Sequence, residues 1–432
     1  MKKMKYSIFP IAIALLLTAC GGAGGQSNNS AAPSNGNFTL INPTDTSMLT
    51  SKVKAYVDAM REQEKTLDDP YMLGDGQLGG EAGVTVENYL DEGEVEGQNR
   101  TVSGKIPNRS DRNEGVELKF ELKEGYEADS YQVWVADNDK FENAQKLEPT
   151  ANHTAVAKNL FVNTKYYWKV VTDQEESDVA SFETEDYPRW ISARPLYNVR
   201  DNGGYMTSSG KRVKQGLVFR GGEITTSTMS GHYNTIGDVA DKERENFKVF
   251  RDVMNIGVEL DLRGASDISD GYKACAFSDE DHPIDYKQYA IKSYEQTFTQ
   301  TRNMVAPIFE ILKEADKKPV YYHCFGGADR TGTLGFLLNG VLGVSYTDLV
   351  IDFELTSYSS INNEHIRNHI SGHQHQYDRW PALINQIQTD TTGGYAYDAN
   401  ASLEDNIENF LVKACSVPQA TIDTIRDIML ED

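Results

Sequence analysis

His323-Cys324-Phe325-Gly326-Gly327-Ala328-Asp329-Arg330-Thr331-Gly332 sets a thiol, five residues and then a guanidinium in one short stretch. A thiol is a nucleophile only as its thiolate. A helix N-terminus and a nearby guanidinium lower its pKa by several units from about 8.5. Arg330 offers a planar fork that grips two phosphate oxygens and can follow them through the transition state. Thr331 can donate its hydroxyl to the sulfur and help it leave in a second step. Gly326 and Gly327 permit backbone angles and close approaches that a side chain would forbid. Phe325, Gly326, Gly327, Ala328 and Thr331 thus form a candidate phosphate-binding loop around the candidate catalytic residues Cys324 and Arg330, with His323 behind it fixing its shape. The chemistry implied is attack on phosphorus, a cysteinyl-phosphate and hydrolysis by water, a route that needs no metal or other cofactor.

The flanking residues supply the elements that must position this loop. Lys317-Lys318-Pro319 precedes the apolar, β-prone run from Val320, which reads as a short buried strand. Leu334 to Leu342 is apolar without proline and reads as a buried helix. A strand feeding a glycine-bearing loop that opens a helix makes an anion cradle from loop amides and the first helical N–H groups. Gly327 and Gly332 also mimic the spacing of a nucleotide-binding loop, but Thr333 stands where its lysine should be, which excludes that reading.

His-Cys-x-x-Gly-x-Asp-Arg-Thr-Gly resembles the signature of the cysteine-dependent protein tyrosine phosphatase superfamily, and more narrowly that of bacterial members with an Asp before the Arg. Further resemblances precede it: Asn198-Val199-Arg200-Asp201-Asn202-Gly203-Gly204-Tyr205 at the domain opening, Val218-Phe219-Arg220-Gly221-Gly222, and Glu259-Leu260-Asp261-Leu262-Arg263 at a strand end. The resemblance implies that Asp329 acts as the acid, since no Trp-Pro-Asp segment is present. Asp261 and Arg263 would project near the rim at the strands' C-terminal ends, and the resemblance gives them, and Arg220 in the same way, supporting roles at the site; a strand-end salt bridge is the alternative for the first two. The position of Ala328 is usually Lys in that subfamily, which bears on substrate choice. The pattern itself alternates: a helix over Val239–Met254, strands over Val258–Leu262 and Asp285–Ile291, and a helix over Thr301–Ala315. Such units predict an α/β domain over 188–432, with a mostly parallel sheet flanked by helices and the site at the strands' C-terminal ends. Asp352–Thr356 and Ile407–Leu411 are similar to the family's closing helices.

The activity implied is that of a protein-tyrosine phosphatase, with dual specificity open, acting on a phosphotyrosine protein or a small phosphomonoester. A phosphoinositide or inositol-phosphate phosphatase is one alternative. A non-catalytic phosphate-binding envelope protein is another. Against 42 basic residues stand 65 acidic ones, a net charge of −23, which argues against nucleic acid and anionic lipid surfaces as partners.

The chain opens with Lys2, Lys3 and Lys5, an apolar run from Ile8 to Leu17, and then Ala19-Cys20. That is a secretory signal over 1–19, too short for a stable membrane span. Leu17-Thr18-Ala19-Cys20 resembles a bacterial lipobox, which implies lipidation of Cys20, a membrane anchor and an outer-membrane address facing the periplasm. Residues 20–37 read as the lipidated flexible tether and 38–100 as a helix (Met48–Lys65) followed by an acidic linker. Over 101–187 the pattern turns to period two, as in Val116–Leu122, Tyr131–Val135, Lys165–Val171 and Val179–Thr184. This predicts a small β-sandwich. Leu160-x-x-Asn163-Thr164-x-Tyr166-Tyr167-Trp168 resembles the tyrosine corner of fibronectin type III domains. Cys275 and Cys415 remain; they could pair, or Cys275 could partner Cys324, or both stay free. His365, His369, His373 and His375 cluster, but without an acidic partner they read as a polar helix face or lid, not a metal site.

Overall fold

The computed structural model describes residues 36–63, 115–193, 196–224, 248–268, 277–278, 280–359 and 379–432. Expectations for residues 1–35, for the linker after residue 63, for Cys275, for most of the helix over 239–254 and for the histidine cluster lie outside these residues. No helix among the described residues is long and apolar enough to cross a membrane.

The N-terminal part builds two antiparallel sheets. Strand β1 (Phe38–Ile41) leads to helix α1 (Ser51–Gln63), and β2 (Val116–Leu122), β3 (Tyr131–Ala136), β4 (Gln145–Leu147), β5 (Thr154–Ala157), β6 (Lys165–Thr172) and β7 (Ala180–Glu183) follow. The sheet orders are β1-β2-β5 and β4-β3-β6-β7. In β2 the residues alternate buried and exposed through Phe120, as its period-two sequence requires. Leu118, Phe120, Val133 and Trp168 from the two sheets bury into one apolar cluster.

Two features upstream differ from the expected division. Phe38–Ile41 pairs in register with Leu122–Lys119, so a segment read as part of the helix-and-linker region supplies a strand. Helix α1 belongs to the C-terminal domain: its Val53, Tyr56, Val57 and Met60, with Leu49 just before it, enter that domain's core. Its apolar residues recur at helical spacing, so one face must be covered, and that domain covers it.

The C-terminal domain is an α/β unit. Its strands are β8 (Arg200–Asp201), β9 (Val218–Gly221), β10 (Val258–Asp261), β11 (Asp285–Gln288) and β12 (Val320–His323). Its helices are α2 (Glu295–Gln300), α3 (Val305–Leu312), α4 (Asp329–Val341), α5 (Tyr346–Leu355), α6 (Arg379–Thr389), α7 (Leu403–Asn409) and α8 (Gln419–Met429). The sheet order is β11-β10-β12-β9-β8, parallel except for the antiparallel edge strand β8. All four residues of β12 are buried, because a central parallel strand is covered on both faces. Val320 and Tyr322 face the larger core, with α3, α4 and α5; Tyr321 faces a second cluster with Phe219, Phe250 and Met254. Of the helix expected over Val239–Met254, the described part is a π-helical turn, Val249–Val253.

Met60 is fully buried in that larger core. Met60→Ala is expected to destabilise the C-terminal domain by about 2–5 kcal/mol, the usual cost of such a truncation. Lys54→Ala, which removes a partly exposed pair with Glu185, should cost at most about 1 kcal/mol. Calorimetry checks this, and an unchanged unfolding temperature in Met60→Ala would show that α1 is dispensable to the domain.

Candidate active site

Strand β12 ends at His323, and α4 begins at Asp329, so residues 324–328 form the loop between them. Gly327 has φ +65°, and a Cβ there would fall 2.3 Å from the backbone of Gly221, so both conformation and space demand glycine. Three successive loop carbonyls are tied down from outside. The Phe325 carbonyl accepts from the Glu223 N–H at 3.0 Å and from the Tyr197 hydroxyl at 3.3 Å. Asn198 Nδ2 donates to the carbonyls of Gly326 (3.0 Å) and Gly327 (3.1 Å), and Arg220 Nη2 also donates to Gly327 at 3.0 Å. Carbonyls pinned on one side leave the loop's amides for an anion on the other.

Arg220 therefore does not stand at the rim: it is 1% exposed and lies beneath the loop. It and Arg200 both bond Asp352 of α5, Arg200 through Nε at 3.0 Å and Arg220 through Nη1. Burial pushes the Asp352 carboxyl up, but the two guanidiniums outweigh it and hold it below the usual range. Arg200 also donates to Asn198 Oδ1, so the side chain that pins the loop is itself held.

Asp261 and Arg263 likewise turn inward, each 0% exposed, instead of projecting at the strand ends. Arg263 bonds Asp261 through Nε (2.9 Å) and Nη2 (2.8 Å), and reaches Glu223 through Nη1 at 2.5 Å. This is the strand-end ion pair, extended to the residue whose N–H holds Phe325. His323 sits behind the loop, its Nε2 3.2 Å from Glu259 and its Nδ1 3.2 Å from the Cys324 carbonyl. Burial lowers the imidazole's pKa, but Asp261 and Glu259 overcome this and raise it.

The candidate reactive groups are Cys324, Arg330 and Thr331. Cys324 is 2% exposed. Burial pushes its thiol up, yet the Arg330 charge and the Thr331 hydroxyl and N–H bring it below the ordinary value. Among the described residues the buried Thr331 hydroxyl has no hydrogen-bond partner that meets ordinary geometry, so the sulfur is the acceptor left to it. Ala328, 1% exposed, precedes α4 without offering a side-chain cap, which leaves the helix's first N–H groups to the loop. Two groups here carry no local sequence signal. Asp267, on the turn Ala265–Asp267 after β10, bonds Arg330 Nη1 at 2.5 Å. Burial raises the Asp267 carboxyl, and the bond to Arg330 more than reverses this. Tyr294 donates its hydroxyl to Asp329 Oδ1 at 2.5 Å. Asp267 is one of several acids after Arg263, and Tyr294 one of 23 tyrosines; only contact singles them out.

Cys415 is also a buried free thiol, but burial pushes its pKa to about 12. Iodoacetate should therefore alkylate Cys324 with a midpoint below that of an ordinary cysteine, since a depressed thiol ionises at lower pH. Cys415 should stay unmodified in the native protein. Arg330→Ala should move the Cys324 midpoint upward. Peptide mapping across a pH series reads all three, and an unmoved midpoint would remove the guanidinium as the cause.

No curated protein matches the chain. A family model described as the tyrosine phosphatase family matches residues 191–431, more than half of the sequence and nearly all of the α/β domain built above. By that match the chain belongs to the tyrosine phosphatase family of phosphate-ester hydrolases.

Proposed function

We propose that the chain hydrolyses phosphomonoesters through a cysteinyl-phosphate, with phosphotyrosine in proteins as its substrate. The observation that carries this is the thiol of Cys324, buried at the start of the loop between β12 and α4 and biased toward thiolate by Arg330 and Thr331. In the first step the Cys324 sulfur attacks phosphorus, the S–P bond forms and the P–O bond to the leaving group breaks. Asp329, in its protonated form, gives its proton to the departing oxygen. In the second step water attacks phosphorus, Asp329 takes the water's proton, and the S–P bond breaks with Thr331 donating to the returning thiolate. Arg330, oriented by Asp267, grips the equatorial oxygens in both steps.

Phenolate leaves with little protonation, whereas a serine or inositol alkoxide depends on the acid. The small, buried Ala328 supplies no second cation for a polyphosphorylated substrate. Both points favour aryl phosphates over phosphoinositides. The lipid anchor at Cys20 and the envelope address belong to the same proposal. So does a fibronectin type III-like sandwich upstream, which the two facing sheets support. The Tyr166 hydroxyl also supports it, accepting from the Phe161 N–H at 2.8 Å as a tyrosine corner would.

With EDTA present, the purified protein should hydrolyse p-nitrophenyl phosphate and phosphotyrosine peptides faster than phosphoinositides. Cys324→Ser should abolish turnover while retaining vanadate binding, and Arg330→Ala should cost about 3–4 kcal/mol in kcat/KM, as loss of an oxyanion contact does. Turnover surviving in Cys324→Ser would sink the mechanism; a preference for polyphosphorylated inositides would sink the substrate class.

Anchoring is tested separately. The full chain expressed in a bacterium should fractionate with membranes and enter the detergent phase, and Cys20→Ala should not. A water-soluble unmutated protein would remove the anchor and leave the catalytic reading intact.

A further inference from the structure

We propose that Tyr294 is the positioning residue for Asp329, holding the carboxyl in the orientation from which it serves the leaving group. The inference rests on the assignment of Asp329 as the acid and adds a residue that no motif marks. The phenol donates to Oδ1 at 2.5 Å, which fixes the turn of the carboxyl plane. The donor is itself held on three sides. Its backbone N–H donates to Thr333 Oγ1 at 2.8 Å, and that hydroxyl donates to the Asp329 carbonyl at 2.9 Å. Its ring meets Phe353 of α5 edge-on, with centroids 6.2 Å apart. Lys292, two residues before it, is tied by its N–H to Thr301 and by its carbonyl to Thr297.

The backbone shows what this placement requires. Tyr294 has φ +53° and ψ −131°, a region that a side chain rarely adopts and that glycine would occupy freely. A tyrosine kept in such a conformation is held by its surroundings, and such residues concentrate at functional sites. Tyr294 N–H and hydroxyl both end on the first two turns of α4, on Thr333 and Asp329 respectively. The strained residue thus clamps the start of α4 through two separate bonds, and the hydroxyl bond reaches the acid's carboxyl.

Tyr294→Phe removes that bond and keeps the ring, the N–H and the strained backbone. A misoriented acid should slow only leaving groups that need protonation. An alkyl phosphate such as phosphoserine peptide should fall by about tenfold, part of the full worth of a general acid. p-Nitrophenyl phosphate should fall by less than about twofold, because its leaving group needs little proton transfer. In the Asp329→Asn background, Tyr294→Phe should change neither rate further, since two residues acting through one proton are not additive. Equal slowing of both substrates by Tyr294→Phe, or an additive double variant, overturns the inference while leaving Asp329 as the acid. If Asp329→Asn alone slows all leaving groups equally, the assignment of the acid fails, and this inference fails with it.

Discussion

The buried carboxylate of Asp352 between the guanidiniums of Arg200 and Arg220 is the contact on which the rest of the site depends. It joins four elements that are distant in sequence: the edge strand β8, the parallel strand β9, helix α5 and, through Arg220 and Asn198, the phosphate loop. Removing one member of a buried ionic group strands the others in low dielectric, so the set is held together strongly. Two guanidiniums on one carboxylate also leave that trio with an excess of positive charge directly under the loop. Such a charge favours an anion above it.

The loop is shaped from outside by its carbonyls. Phe325, Gly326 and Gly327 each have a carbonyl oxygen bonded to a group from another element, namely Glu223, Tyr197, Asn198 or Arg220. Holding the acceptors fixes the peptide planes, and the donors of the same planes must then face the other way. Preorganisation of this kind needs no rearrangement when a phosphate arrives. A second buried layer, His323 with Glu259 and Asp261 with Arg263, closes the back of the loop and reaches it through Glu223.

The sheets upstream are tied to the same edge. Arg189 pairs with Asp201 of β8 at 2.6 Å and donates to the carbonyls of Leu160 (3.0 Å) and Asn159 (2.8 Å). Gln215 exchanges two hydrogen bonds with the backbone of Val162. Asp201 is adjacent to Arg200, so the upstream sheets brace the strand that carries one of the two arginines on Asp352. Helix α1 adds a brace of its own through the Arg61–Asp348 pair on α5.

The loop from Cys324 to Ala328 and its flanking strand and helix were legible in the sequence because all their determinants are local. A thiol, two glycines and a guanidinium within one turn carry their chemistry in their spacing, and the apolar runs on either side declare strand and helix directly. Alternation in Val116–Leu122 declared a strand for the same reason. The sequence could mark Arg220, Asp261 and Arg263 by resemblance, but it set them near the rim, and the structure buries them. Nothing in the spacing of a residue says whether it reaches substrate or the back of the substrate's loop. Phe38–Ile41 became a strand because a partner 75 or more residues away offered it an edge, and α1 joined a core built from the other end of the chain. Asp267 and Tyr294 were invisible for the same reason: a carboxylate or a phenol acquires its role only from the group it touches. The sequence by itself determined where a thiol and a guanidinium share one stretch running from a strand through a loop into a helix, and the class of fold. Tertiary structure decided which buried charges hold the loop and which side chains orient its reactive groups, since hydrogen bonds and ion pairs depend on distance in space and not along the chain.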